Sequence, residues 1–277
     1  MSTQKYQGHL RKMAISHDDD CAQYQIRLDD QFISLNEKIG QPIRIESLGE
    51  IHCVECGRKS KKSFSQGYCY PCFSRLPQCD VCIMSPEKCH YDQGTCRDAS
   101  WGDEFCMQDH IVYLANSSGI KVGITRHTQI PTRWLDQGAM QAMPIARVAT
   151  RQLSGLLEVI FKQHVADKTN WRTLLKQDAL DLDLSSKRDE LFELCHEEIE
   201  ELQGHYGLQA VSLIYDAEQH NYQFPVTEYP TKIVSFNLDK TPVVEGILKG
   251  IKGQYLILDT GVINLRKYTS YNVSVEC

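Results

Sequence analysis

Three things are missing from this chain of 277 residues. It has no apolar run long enough to cross a bilayer, which excludes a helical membrane protein and leaves no membrane among the expected partners. The opening Met1-Ser2-Thr3-Gln4-Lys5-Tyr6 is polar with nothing apolar behind it, so no secretory leader is expected and the cytoplasm is the expected location. Nor is there a surplus of positive charge. Lys and Arg number 30 against 36 Asp and Glu, a net charge of −6. That balance argues against a protein that coats nucleic acid wholesale, while a local basic face stays open.

What is plentiful is cysteine. Nine of the twelve fall between Cys53 and Cys106, and a reducing compartment makes them thiols or metal ligands instead of disulfides. Cys53-Val54-Glu55-Cys56 and Cys69-Tyr70-Pro71-Cys72 are two Cys-x-x-Cys hooks, each able to turn two thiolates onto one ion. Together they offer the four soft ligands a tetrahedral Zn²⁺ prefers. Gly57 and Gly67 flank them where a tight turn needs positive φ. Cys79 and Cys82 form a third hook, and Cys89 and Cys96 would complete a second four-thiolate site, with Cys106, His110 and His90 as alternates. Two zinc ions are therefore expected. An iron–sulfur cluster would use the same thiolates, but regular paired hooks favour zinc. Between the first hooks, Arg58, Lys59, Lys61 and Lys62 lie on a segment that a zinc ribbon would expose as a turn, a candidate phosphate contact.

The two ends read as strands. Residues 1–50 and 206–277 alternate apolar and polar positions through Gly- and Asp-containing turns. A similar stretch occurs in both: Gln7-Gly8-His9-Leu10, Tyr24 to Asp29 and Ile33 to Leu35 near the start, and Glu245-Gly246-Ile247-Leu248, Gln254 to Asp259 and Val262 to Leu265 near the end. A degenerate repeat of one β module, the copies packed together, would explain it, as would convergent strand-turn patterning. His17-Asp18-Asp19-Asp20 reads as a solvated loop, and Cys195 and Cys277 as thiols outside any metal site.

Between these ends, residues 110–115 read as a strand, Ser117-Ser118-Gly119 as a turn and residues 120–125 as the returning strand. Pro131 opens a short helix through Leu135, and residues 145–150 form a third strand. Leu153, Leu156, Leu157, Ile160, Phe161 and Val165 then recur at helical spacing, with Glu158 off the apolar stripe. This order resembles the GIY-YIG nuclease superfamily over residues 110–172. Val112-Tyr113-Leu114 stands at its first motif and Lys121-Val122-Gly123 at its second, with Lys121 in place of the usual tyrosine. Arg133 matches the helix arginine, Glu158 the metal-binding carboxylate and Asn170, more loosely, an asparagine that often follows. With its cysteine cluster joined to such a core, the whole chain resembles an uncharacterised bacterial family.

The resemblance implies a Mg²⁺-dependent nuclease acting on DNA or RNA, with Tyr113, Lys121, Arg133 and Glu158 as catalytic residues. Tyr113 or Lys121 would help deprotonate water, Glu158 would hold Mg²⁺, and Arg133 would neutralise charge on the phosphate. Residues 185–203 read as one helix, begun by a capping box at Ser186, ended by Gly204 and acidic on its outer face, which turns nucleic acid elsewhere. The expected fold is α+β: small β modules at both ends, a zinc-ribbon-like cysteine cluster and a central GIY-YIG-like α/β core. The divisions are 1–50, 51–108, 109–175, 176–205 and 206–277. The competing reading is a catalytically inactive, zinc-stabilised scaffold that binds a protein partner.

Overall fold

Alternation builds the two ends of the chain. In Cys21–Leu28 the side chains of Ala22, Tyr24, Ile26 and Leu28 are buried while their neighbours are less so, the two-residue period of a sheet with one face on a core. The structure is a computed structural model that describes residues 4–18 and 21–277. The opening strands are β1 (Lys5–His9), β2 (Ala14–Asp18), β3 (Cys21–Leu28), β4 (Gln31–Ser34) and β5 (Pro42–His52), with the short β6 (Lys59–Ser60) after the first hook. Helices α1 (Tyr70–Arg75) and α2 (Ala99–Phe105) lie in the cysteine-rich segment. The centre holds β7 (His110–Asn116), β8 (Ile120–Arg126), α3 (Thr132–Asp136), β9 (Gln141–Val148), α4 (Arg151–Phe161) and α5 (Trp171–Leu174). Helices α6 (Leu184–Leu194) and α7 (His196–Tyr206) follow. The chain closes with β10 (Val211–Leu213), β11 (His220–Asn221), β12 (Val243–Lys252), β13 (Tyr255–Leu258), β14 (Gly261–Asn264) and β15 (Tyr271–Glu276).

These strands make three antiparallel sheets, so the architecture is mixed α+β. The largest runs β1-β15-β5-β12-β13-β14 with β6 beside β5, and thus interleaves both ends of the chain. The likeness between those ends has a physical form. β1 pairs with β15 and β12 with β5 in matching register: Gly8 lies opposite Val273 as Gly246 lies opposite Ile43. The Asp29 carboxylate accepts from the His9 backbone N–H at 2.9 Å, and that of Asp259 from Ile247 at 2.7 Å. Leu10 N–H donates to Tyr271 O as Leu248 N–H donates to Gln41 O. Each end therefore lends its first strand to the last strand of the other, and β5 and β15 pair between them.

The central sheet runs β10-β9-β7-β8, with β11 also on β9. Val112, Leu114 and Val122 pack on one side with Leu153, Leu157 and Phe161 of α4 and with Leu191 and Ile199 of α6 and α7. Ile111, Tyr113 and Ala115 join Trp134 of α3 and the core of the large sheet on the other. Both faces of β7 are thus covered, and all seven of its residues are buried.

Several local expectations shift. The third strand starts at Gln141 and stops at Val148, because Thr150 is the cap of α4, its hydroxyl accepting from Leu153 N–H. Val165 lies past the end of α4. The single acidic helix is two, broken at the buried Cys195, which lets Leu191 and Phe192 on α6 and Ile199 on α7 each reach the core. Asp183, not Ser186, caps its start. Gly204 lies inside α7, which ends instead at Gly207 with φ +97°. His17 and Asp18 close β2, whereas Asp19 and Asp20 of the expected loop lie outside the described residues.

Candidate functional site

The first cysteine set assembles. The Sγ atoms of Cys53, Cys56, Cys69 and Cys72 all lie within 4.8 Å of one another, with only Cys56 exposed. The first hook turns at the end of β5: Gly57 N–H donates to Cys53 O, and Gly57 takes φ +67°. The second hook opens α1, with Cys69 at its cap and Pro71 inside its first turn. The second hook thus leads into a helix. Burial pushes the Cys53 thiol up, but backbone N–H groups of Cys56, Cys69 and Glu55 pull it further down, to about 6. Burial and the neighbouring cysteines push Cys72 up to about 12. Four thiols this close cannot all ionise without a cation among them, and a soft divalent ion supplies that cation. The cluster can hold a metal such as zinc.

The second set is arranged differently. Cys79, Cys82, Cys89 and Cys96 do not form such a group among the described residues; Asp80, Cys82 and His90 do. Asp80 is already engaged, its Oδ2 2.9 Å from Arg97 Nε. The basic segment is exposed, Lys59 pairs with Glu50 at 2.7 Å, and none of Arg58, Lys59, Lys61 or Lys62 lines the cleft described next.

A cleft of about 750 Å³ opens over β8. Lys121, Arg133 and Glu158 all line it. Tyr113 does not: it lies fully buried beneath, cross-strand from Gly123, its hydroxyl accepting from Gln137 Nε2 at 2.9 Å. A Cβ on Gly123 would sit 2.7 Å from that hydroxyl, so the glycine is what admits the ring. Burial raises the Tyr113 pKa further. Lys121 donates to Thr169 Oγ1 at 2.6 Å, and burial, with Arg133 nearby, lowers its pKa to about 8. Burial, with Asp167 nearby, raises Glu158 to about 6. Asn170 caps α5, accepting from Arg172 and Thr173 N–H, and does not line the cleft, although Thr169 does.

Sequence reasoning missed most of the cleft's charge. Arg126, Arg151, Lys168 and Arg266 line it too, and with Arg133 none has a carboxylate within 4 Å among the described residues. Lys12 also lines it, but pairs with Asp136. Arg266 arrives from the far end of the chain and is tied to Gln66 beside the second hook. Ile83, Met84 and Pro86 of the cysteine-rich segment form part of the wall. No helix among the described residues is long and apolar enough to cross a membrane.

Fold and site together define an α+β protein built on antiparallel sheets, with a four-cysteine cluster able to hold a metal ion and a basic cleft. The chain belongs to the family described as "Protein of unknown function (DUF2797)", whose model matches residues 40–273. No curated protein and no solved structure matches it.

Proposed function

We propose that the cleft binds the phosphate backbone of DNA or RNA and that its core cleaves it with a divalent ion, as in the GIY-YIG nucleases it resembles. One observation carries the reading: six cations without carboxylate partners among the described residues, Lys121, Arg126, Arg133, Arg151, Lys168 and Arg266, line one cleft with the partly buried Glu158, in a protein whose net charge is −6. Unpaired buried arginine is costly unless an anion joins it. Arg133 would meet the scissile phosphate through paired N–H groups. Lys121, with its pKa brought to about 8, is suited to take or give a proton near neutral pH. Tyr113 is too deep to touch water and would act by positioning Gln137 and Arg133. Glu158 would hold Mg²⁺, which supplies Lewis-acid stabilisation of the phosphoryl oxygens when bound.

The test is cleavage of structured and single-stranded DNA and RNA with Mg²⁺ or Mn²⁺. Loss of cleavage in both Glu158→Ala and Arg133→Ala, each retaining zinc and fold, supports the nuclease. No cleavage by the unaltered protein on any substrate rejects it.

A second zinc belongs to the same proposal. Asp80, Cys82 and His90 offer ligand atoms within 4.8 Å of one another, and burial, with Asp80, Cys89 and Cys106 nearby, pushes Cys82 up to about 11. Metal analysis would give two zinc ions per chain, and one in Cys89→Ser; a single ion in the unaltered protein removes the second site. The scaffold reading is favoured by one feature, the acidic outer face of α7 with Glu197, Glu198, Glu200 and Glu201 exposed.

A further inference from the structure

The cleft continues past the residues assigned above. Arg126 lies five positions along β8 from Lys121, a Cα separation of roughly 16 Å at the usual rise of a strand. His110 is its cross-strand partner on β7, and Arg151 opens α4 beside them. All three line the same cleft. His110 is only 1% exposed, and its Nδ1 lies 2.7 Å from the backbone carbonyl of Gln108. A carbonyl only accepts, so Nδ1 carries the proton and Nε2 is the nitrogen left bare. That Nε2 is buried without a partner among the described residues, as is Nε of Arg151. Arg151 Nη2 donates to Ile83 O at 2.7 Å, and Arg126 stacks on Phe105 at 4.9 Å. Among the described residues neither guanidinium has a carboxylate partner, and the adjacent Asp109 is engaged by Arg147 at 2.7 Å.

We propose that His110, Arg126 and Arg151 form a second phosphate subsite, separate from the one at Arg133 and Glu158. An oxyanion supplies what these groups lack: an acceptor for two guanidiniums and, where it carries an O–H as inorganic phosphate and phosphomonoesters do, a donor for the bare Nε2. The charged groups facing the imidazole are Arg151 from α4, Arg126 from β8 and Asp109 beside it. The subsite rests on the reading of the cleft as a polynucleotide site only for the origin of its phosphate, which is either an internal phosphodiester or a terminal phosphomonoester.

The experiment is calorimetric titration with inorganic phosphate, paired with anisotropy on a short single strand with or without a 5′-phosphate. The proteins are the unaltered chain, Arg126→Gln, His110→Asn and Arg133→Gln, each checked for zinc content and circular dichroism. Phosphate binding weakened roughly tenfold by Arg126→Gln and by His110→Asn, the loss of one hydrogen bond each, supports the subsite. Phosphate binding unchanged by both variants overturns it. If the unaltered protein binds phosphate through Arg126 but no strand, the polynucleotide reading falls and the subsite stands. If strands bind equally to the unaltered protein and to Arg126→Gln, the subsite falls and the reading stands. A gain from the 5′-phosphate that Arg126→Gln removes assigns a terminal phosphate; equal losses on both strands assign an internal one.

Discussion

Ser270 stands where the other copy of the β module has Gly40, and both take positive φ, +80° and +86°. Each donates its N–H to the matching leucine carbonyl, Leu10 and Leu248. An L side chain is strained in that conformation, and the Ser270 hydroxyl is buried without a partner among the described residues. Ser270→Gly should therefore stabilise the protein by about 1 kcal/mol, seen as a raised denaturation midpoint; a lowered midpoint contradicts this account of the turn. Glu158 gives a pH-dependent counterpart. Burial and Asp167 lift its pKa from 4.5 to about 6 in the folded state. Between those values the folded protein holds more protons than the unfolded one, so the group loses stability as pH rises and exacts its full cost above pH 6. Allowing for its partial exposure, Glu158→Gln should be more stable than the unaltered protein by about 1 kcal/mol at pH 8 and no different at pH 4. Chemical denaturation at the two pH values reads this directly, and an equal offset at both would sink it.

Among the elements, α4 decides the shape of the cleft, because it carries both Arg151 and Glu158. Its Gly155 meets the cysteine-rich segment so closely that an added Cβ would lie 2.5 Å from Glu87 N and 2.7 Å from Pro86 Cβ. Alanine is the better helix former by about 1 kcal/mol, but steric overlap with backbone costs about 1–3 kcal/mol or more. Gly155→Ala is expected to destabilise by about 2 kcal/mol net and to open the wall at Ile83 and Pro86. A stabilised variant would show that the segment yields. Local elements were well marked in the sequence where a turn, a cap and a period agreed, as in the β7–β8 hairpin. They were poorly marked at residues 184–206, where an unbroken run of good helix formers conceals the break that burial of Cys195 and Ile199 requires.

At the scale of the molecule, the candidate site joins distant parts of the chain. Lys121, Arg133 and Glu158 were singled out by the resemblance to the GIY-YIG superfamily over one short run of elements, and all three line the cleft. Lys12, His110, Arg126, Arg151 and Arg266 were not legible as one surface. They come from the first β module, the central sheet, the start of α4 and the last turn before β15, and only the interleaved large sheet brings the ends together. The first four cysteines were legible because hook spacing alone fixes a four-ligand set. The basic hook turn was read as a phosphate contact from charge alone; it lies apart from the cleft, which carries its own group of cations. The measurement that separates the two surfaces is strand binding at low and rising salt, comparing Arg133→Glu with the double variant Lys61→Glu, Lys62→Glu. Binding that is lost in Arg133→Glu and kept in the hook variant, with a salt slope of about one phosphate per cleft cation, is the expected result. Binding lost only in the hook variant, or no binding by the unaltered protein at low salt, would contradict a nucleic-acid cleft.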